Sequence, residues 1–422
     1  MKYTFLFLTC FIVSFVFGQT ALEQQFKDIE PKVIEWRRHF HQNPELSNRE
    51  FKTAEVIADH LKRLGLEVKT GVAHTGVVGI LKGIRPGKVI ALRADIDALP
   101  VTERNDLQFR SDVRTTFLGT ETGVMHACGH DAHTAILMGA AEILSQLKDK
   151  IKGTVKFIFQ PAEETPPPGE DGGAKMMIKE GVLENPMVDA IFGLHIRSGV
   201  NVGEIHYKPG GAMAAVERFV INVKGKQTHG SEPWNGVDPI LISAKIIDGL
   251  QTIISRESEL INEAAVISVG KITSGVRFNI IPESAEMIGT IRTLDPDMKT
   301  LIIKRMTEIT ETIAKAYGGS ATISFSNETA ITYNNHELVE QMLPSLKKAA
   351  GENNVRQIKA ETIGEDFSYF QELVPGFYFY LGGMTKGNTQ VFPHHTPDFY
   401  IDEKGLLLGV KAFTQITFDY LQ

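Results

Sequence analysis

Two textures of hydrophobic and polar positions run along the chain, and the change between them divides it. Residues 26–40 and 53–64 carry apolar side chains at helical spacing, with Pro44 and Ser47 punctuating between them. Short β-branched or aromatic runs then alternate with helical stretches. Residues 88–93, 154–159, 190–194 and 377–381 predict buried strands, and the Ala-rich run 134–147 predicts a helix. That alternation predicts an α/β fold with a largely parallel sheet. From about Ala214 the texture shifts. Residues 219–223 alternate, 239–255 are helical, 265–272 and 285–290 are strand-like, 297–317 are helical, and 321–325 close the series. This order of strand, helix, strand, strand, helix, strand predicts a compact ferredoxin-like α+β insert over 214–328. The first domain then comprises 19–213 and 329–422, and two domains suit a chain of 422 residues.

The first eighteen residues follow a separate pattern: one Lys, an apolar run from Tyr3 to Phe17, and Gly18 ahead of polar Gln19. They predict a cleavable signal peptide over 1–18 and hence export to a periplasm or the extracellular space, with no membrane association after its removal. The run is shorter than the roughly 20 residues of a spanning helix, although an uncleaved anchor is the alternative. Loss of the leader removes Cys10 and leaves Cys128 as the only thiol, so the mature monomer forms no internal disulfide. Cys128 is then either a small buried hydrophobe or a ligand. A hydrophobic fraction of 42%, 23% charged residues and a net charge of −7 describe a globular protein with no electrostatic reason to bind nucleic acid.

Polar residues collect beyond the carboxyl ends of the predicted strands, the edge where open α/β sheets bind ligands. Asp95 and Asp97 follow the first strand, Glu163 and Glu164 the second, His195 the third, and His394 and His395 the fourth. A fifth segment, Met125-His126-Ala127-Cys128-Gly129-His130-Asp131-Ala132-His133, directly precedes the helix predicted at 134. If its centre is extended, Cys128 and His130 point to one side, and Gly129 permits a close backbone approach. Thiolate, imidazole and carboxylate together suit zinc or a neighbouring divalent transition metal. Singly, each residue has a plainer reading. His126 and His133 fit satisfied interior histidines, and Glu163-Glu164 fits a solvated acidic pair. Convergence of five segments favours the metal site.

Four motifs in order, Arg37-Arg38-His39…Pro44-Glu45-Leu46, Arg93-Ala94-Asp95-Ile96-Asp97-Ala98-Leu99-Pro100, the His126 to His133 run, and Gln160-Pro161-Ala162-Glu163-Glu164, carry a resemblance. From about Pro31 onward the sequence resembles the hippurate hydrolase, auxin-conjugate hydrolase and N-acyl-amino-acid amidohydrolase family, a branch of the co-catalytic metallopeptidases that includes aminoacylases and carboxypeptidase-G-like enzymes. The resemblance implies Cys128, His130, Glu164, His195 and His395 as ligands of two divalent ions (zinc, manganese, cobalt or nickel), with Glu163 as general base. His395 is preferred to His394 because it immediately precedes Thr396-Pro397. Asp97 matches a carboxylate that orients the site, and Asp95 does not match a ligand. The insert matches a lid through which such enzymes dimerise. His229 corresponds to an oxyanion-stabilising histidine reaching the partner's site, and Asn279 and Arg292 to positions suited to a substrate carboxylate, although a structural cap and a surface ion pair are their plainer readings. The implied activity is metal-dependent hydrolysis of an N-acyl amino acid or related small amide. The alternatives are a dipeptidase or aminopeptidase of the same fold, or a non-catalytic binding protein for amino-acid conjugates.

Overall fold

A computed structural model describes residues 4–422, and the side chains of all of these except 4–21 and 327–328. The leader expected at 1–18 lies outside the residues described in full. Among the described residues no helix is long and apolar enough to cross a membrane.

The chain divides into two compact units. The first comprises the chain up to Tyr207, Asn335–Ile358 and Leu373–Gln422. Its eight-stranded sheet has at its centre four parallel strands, Lys152–Gln160, Arg85–Asp95, Ala190–Asn201 and Gly376–Met384, in that spatial order. These strands are apolar on both faces, as a sheet covered by helices requires. The helix His130–Gln146 is buried from His130 to Leu144 and packs between the helices Thr4–Gln42 and Leu406–Tyr420. Its near-continuous apolar character is therefore that of a core helix. Two antiparallel strands, Glu67–Val72 and Gly76–Lys82, extend one edge of the sheet.

The second unit comprises Lys208–Asn334 and Lys359–Glu372, where the sequence placed an insert at 214–328. Strands Ala265–Ser274, Ser284–Thr293, Ala215–Lys224 and Ser320–Thr329 form an antiparallel sheet in that order. The helices Pro239–Thr252 and Pro296–Ala316 cover one face, burying Ile242, Ile246, Ile302 and Met306 against Phe219, Ile221 and Met287. Asp238 and Asp295 cap these helices by accepting hydrogen bonds from backbone N–H groups of their first turns.

Three details differ from the sequence reading. Lys359–Glu372 belongs to the second unit, whereas the sequence reading assigned all of 329–422 to the first. The helix expected at 134 begins at His130, so Cys128-Gly129-His130 is a helix N-terminus and not an extended run. The strand expected to end at 194 continues to Asn201, so His195 lies within it, beyond Gly193, the last residue paired with the Arg85 strand.

Candidate metal centre

Three loops and one strand deliver the candidate donors, all from the first unit. Gly129 has φ +93°, and a Cβ there would lie 2.5 Å from the Ile196 side chain, so only glycine turns the chain tightly enough to put Cys128 and His130 together. Glu163 and Glu164 sit between Ala162 at φ +52° and Thr165 at φ +91°. A β-branched residue in that region costs on the order of 1–3 kcal/mol, strain of the kind that collects at functional sites. His395 is also left-handed, at φ +61°.

Hydrogen bonding fixes where His130 and His195 keep their lone pairs. His130 Nδ1 lies 3.0 Å from the Asp97 carbonyl and 3.1 Å from Asp97 Oδ1, so it carries the proton. Its Nε2 is buried without a hydrogen bond and faces Asp95 Oδ1 at 3.8 Å, with Glu163 Oε2 and Glu164 Oε1 at 3.9 Å. His195 Nδ1 donates to the Ile196 carbonyl at 2.7 Å, which leaves the lone pair of Nε2 facing Cys128 Sγ at 3.4 Å. His395 Nε2 stands 3.2 Å from the same sulfur and 3.0 Å from Glu164 Oε1, out of line for a hydrogen bond with that oxygen. The bare His130 nitrogen thus faces carboxylate oxygens across a small buried space, an arrangement that a cation resolves.

Two neighbouring histidines are built otherwise. His133 donates from Nδ1 to Asp95 at 2.6 Å and accepts the Ile196 N–H on Nε2 at 2.8 Å, so neither nitrogen is left for a metal. His394 Nε2 accepts the Ser198 N–H at 3.3 Å, which places its proton on Nδ1, 3.7 Å from Cys128 Sγ. His394 therefore supports the sulfur as a donor, and His395 Nε2 lies within reach of both that sulfur and Glu164. Asp95 is committed to Arg93 at 2.6 Å and to His133, and Asp97 accepts from Ser47, from the Glu164 N–H and from His130.

The electrostatics agree. Burial alone would lower the His130 pKa, but the carboxylates of Asp95, Asp97 and Glu164 push it up to about 10. Burial, helped by Glu164 and Glu163, drives the Cys128 thiol well above its ordinary value. The protein alone thus calls for positive charge at the centre and withholds the thiolate. A divalent cation supplies the first and releases the second. The residues present fit such an ion: Cys128, His130 and Glu164 can bring one ligand atom each to within 4.8 Å of one another, as can Cys128, His195 and His394, and His395 Nε2 lies 3.2 Å from the same sulfur.

Ser47, Arg93 and Ile196 had no signal in spacing, since each acts by pinning a donor or its neighbour. The lid residues lie in the second unit. His229 is exposed, and its Nδ1 accepts the Ser231 N–H at 3.1 Å, so Nε2 carries the proton. Asn279 adjoins it through the Gly230 N–H to Asn279 carbonyl bond of 2.9 Å, and its buried Oδ1 has no hydrogen-bond partner. Arg292 lies on the Ser284–Thr293 strand and donates to neutral oxygens of Thr290 and Ile291. No hydrogen bond or ion pair joins it to His229 or Asn279.

The model of peptidase family M20/M25/M40 matches residues 91–419, and the chain belongs to that family. It is a metal-dependent hydrolase of the amidohydrolase and peptidase class. Thermostable carboxypeptidase 2 of Saccharolobus solfataricus is 41% identical over 393 residues, covering 93% of this chain and 96% of the relative. The N-acetylcysteine deacetylase of Bacillus subtilis is 37% identical over 393 residues, with 92% and 97% covered. The crystal structure of the Bacillus subtilis YXEP protein, a dinuclear metal-binding peptidase, superposes with a TM-score of 0.77 at 35% identity, covering 94% of this chain and 99% of that one.

Proposed function

We propose that the protein hydrolyses the amide bond of N-acyl amino acids or closely related small amides at a centre of two divalent metal ions. Cys128, His130, Glu164, His195 and His395 hold the ions, which are zinc, manganese, cobalt or nickel. The observation that carries this reading is the bare Nε2 of His130, enclosed by three carboxylates that include Glu163. The likeness to a deacetylase of an N-acetyl amino acid and to a dinuclear peptidase supports it.

A bound divalent pair supplies acidified water and a polarised carbonyl. Glu163, beside the donor Glu164 but not required as a ligand, accepts the water's proton on its carboxylate and returns it to the departing nitrogen. Asp97 holds His130 in the tautomer that leaves Nε2 open, and His394 donates to Cys128 Sγ. His229, whose proton sits on Nε2, is the donor proposed for the developing oxyanion, and Asn279 and Arg292 are the proposed carboxylate readers. Homodimerisation through the second unit belongs to the same reading.

The test is amino-acid release from N-acetyl, N-benzoyl and indoleacetyl amino acids and from plain dipeptides, with added metal, comparing wild type with Glu163→Gln. Metal-dependent release from acylated substrates that is lost in the variant is the expected result. Release mainly from dipeptides would replace this reading with a peptidase.

A further inference from the structure

A cavity of about 360 Å³ opens beside Glu164, and every residue lining it belongs to the first unit. Its walls are largely apolar: Leu46, Leu99, Pro100, Phe117 and Leu118 line it, with threonines between them. Phe117 and Leu118 come from a hairpin, Arg114–Phe117 paired with Thr120–Gly123, that the mechanism does not use. The size is that of a site for a small-molecule group.

The hairpin is built against its own turn preference. Leu118 at φ +50° and Gly119 at φ +81° form a two-residue turn with both residues left-handed, the position where Asn-Gly is the usual pair. A leucine gains nothing there from the backbone, and its side chain is 70% exposed. Its apolar surface is free to cover an apolar group that enters the cavity it lines. The hairpin base is fixed, because Thr122 donates to the Pro100 carbonyl at 3.0 Å and the Gly123 N–H to Thr102 Oγ1 at 2.8 Å.

The charge of the cavity selects its occupant. Arg49, the one cation among the lining residues, is closed against Glu170 through two bonds of 2.6 and 3.0 Å. Among the lining residues no cation is left unpaired to receive a substrate carboxylate. We propose that this cavity is the acyl subsite, taking an uncharged apolar acyl group larger than acetyl, and that Leu118 grades the size of that group. This assignment rests on the amidohydrolase reading above.

The experiment measures kcat/KM for the N-acetyl and N-benzoyl derivatives of one amino acid, and for N-benzoyl derivatives of two amino acids of different size, in wild type and Leu118→Asn. Asparagine suits the left-handed turn, so the variant keeps its fold, which its melting temperature and metal content check. The wild type prefers benzoyl, and Leu118→Asn lowers the benzoyl-to-acetyl ratio about fivefold or more, chiefly through KM. An unchanged ratio in an active, folded variant overturns the subsite and leaves the amidohydrolase reading intact. A variant that instead alters discrimination between the amino acids assigns the cavity to the other side of the amide and overturns it equally. Metal-loaded wild type that releases amino acid from none of these substrates overturns both readings.

Discussion

Two buried clusters of charge meet at the N-terminus of the His130–Gln146 helix, and they close their charge in opposite ways. In the first, Arg37 pairs with Asp131 at 2.9 Å and Glu403 at 3.3 Å, while His41 spans Asp131 at 2.8 Å and Glu103 at 3.1 Å. Each cation has carboxylates within ion-pairing distance, although Arg37 Nε and Asp131 Oδ1 are buried without a hydrogen bond. In the second, His130 Nε2 has three carboxylates around it and bonds to none, and a thiol faces two imidazole nitrogens. Both are buried; in the first every cation lies against carboxylates, and in the second an imidazole nitrogen is left without a hydrogen bond. A network of paired cations and carboxylates marks a structural joint, and an imidazole nitrogen bare among carboxylates marks a place for an ion.

The largest expected effect lies at the unbalanced cluster. Glu163→Gln should lower kcat by about 10²–10⁴ through loss of the general base, with bound metal unchanged. A matching loss of metal would instead make Glu163 a ligand. Next comes the balanced cluster. Arg37→Ala leaves Asp131 buried beside a single histidine, and denaturant melts should register a loss of about 3–5 kcal/mol. A loss below about 1 kcal/mol, the scale of an exposed pair, would mean that the network is not a joint.

Within the second cluster the two adjacent histidines should separate. His395→Ala should lower metal stoichiometry, whereas His394→Ala should weaken retention without removing a site, by roughly 10–100-fold in affinity, as loss of a supporting donor does. Equal stoichiometric loss in both would make His394 a ligand too.

The smallest effect is a pH dependence. Burial and Arg37 lower the His41 pKa, yet its bonds to Asp131 and Glu103 prevail and raise it above the ordinary value. His41 therefore binds its proton more tightly folded than unfolded. Its stabilisation is complete below the unfolded pKa of about 6.5 and is lost as pH rises through the folded value. The stability gap between wild type and His41→Gln should narrow between mildly acidic and alkaline pH, and a gap that widens would contradict the charged assignment.

The central strands and the second unit's sheet were legible because their apolar periods are long and uninterrupted, as in residues 154–159 and 219–223. The Arg114–Gly123 hairpin was not, since its strands carry threonine, arginine and glutamate without alternation and its turn hides behind a leucine. The donors were legible as residue types at strand ends. Their arrangement was not: the left-handed φ of Gly129 starts a helix where alternation implied an extended run. His133 shows the same limit, because the Asp95 carboxylate and Ile196 N–H that occupy it come from distant strands. Arg37 and His41 stand four apart on one helix face, a spacing that could have flagged them as partners of a single carboxylate.

The central claim is that Cys128, His130, Glu164, His195 and His395 form a metal centre that excludes His133. The direct measurement is metal content by elemental mass spectrometry after loading with manganese, zinc, cobalt or nickel and desalting, for wild type, Cys128→Ser and His133→Asn. The account predicts about two ions per chain in wild type and in His133→Asn, and a loss of at least one in Cys128→Ser. Wild type that retains no ion under any loading, or a His133→Asn variant that loses an ion while Cys128→Ser keeps both, would contradict it.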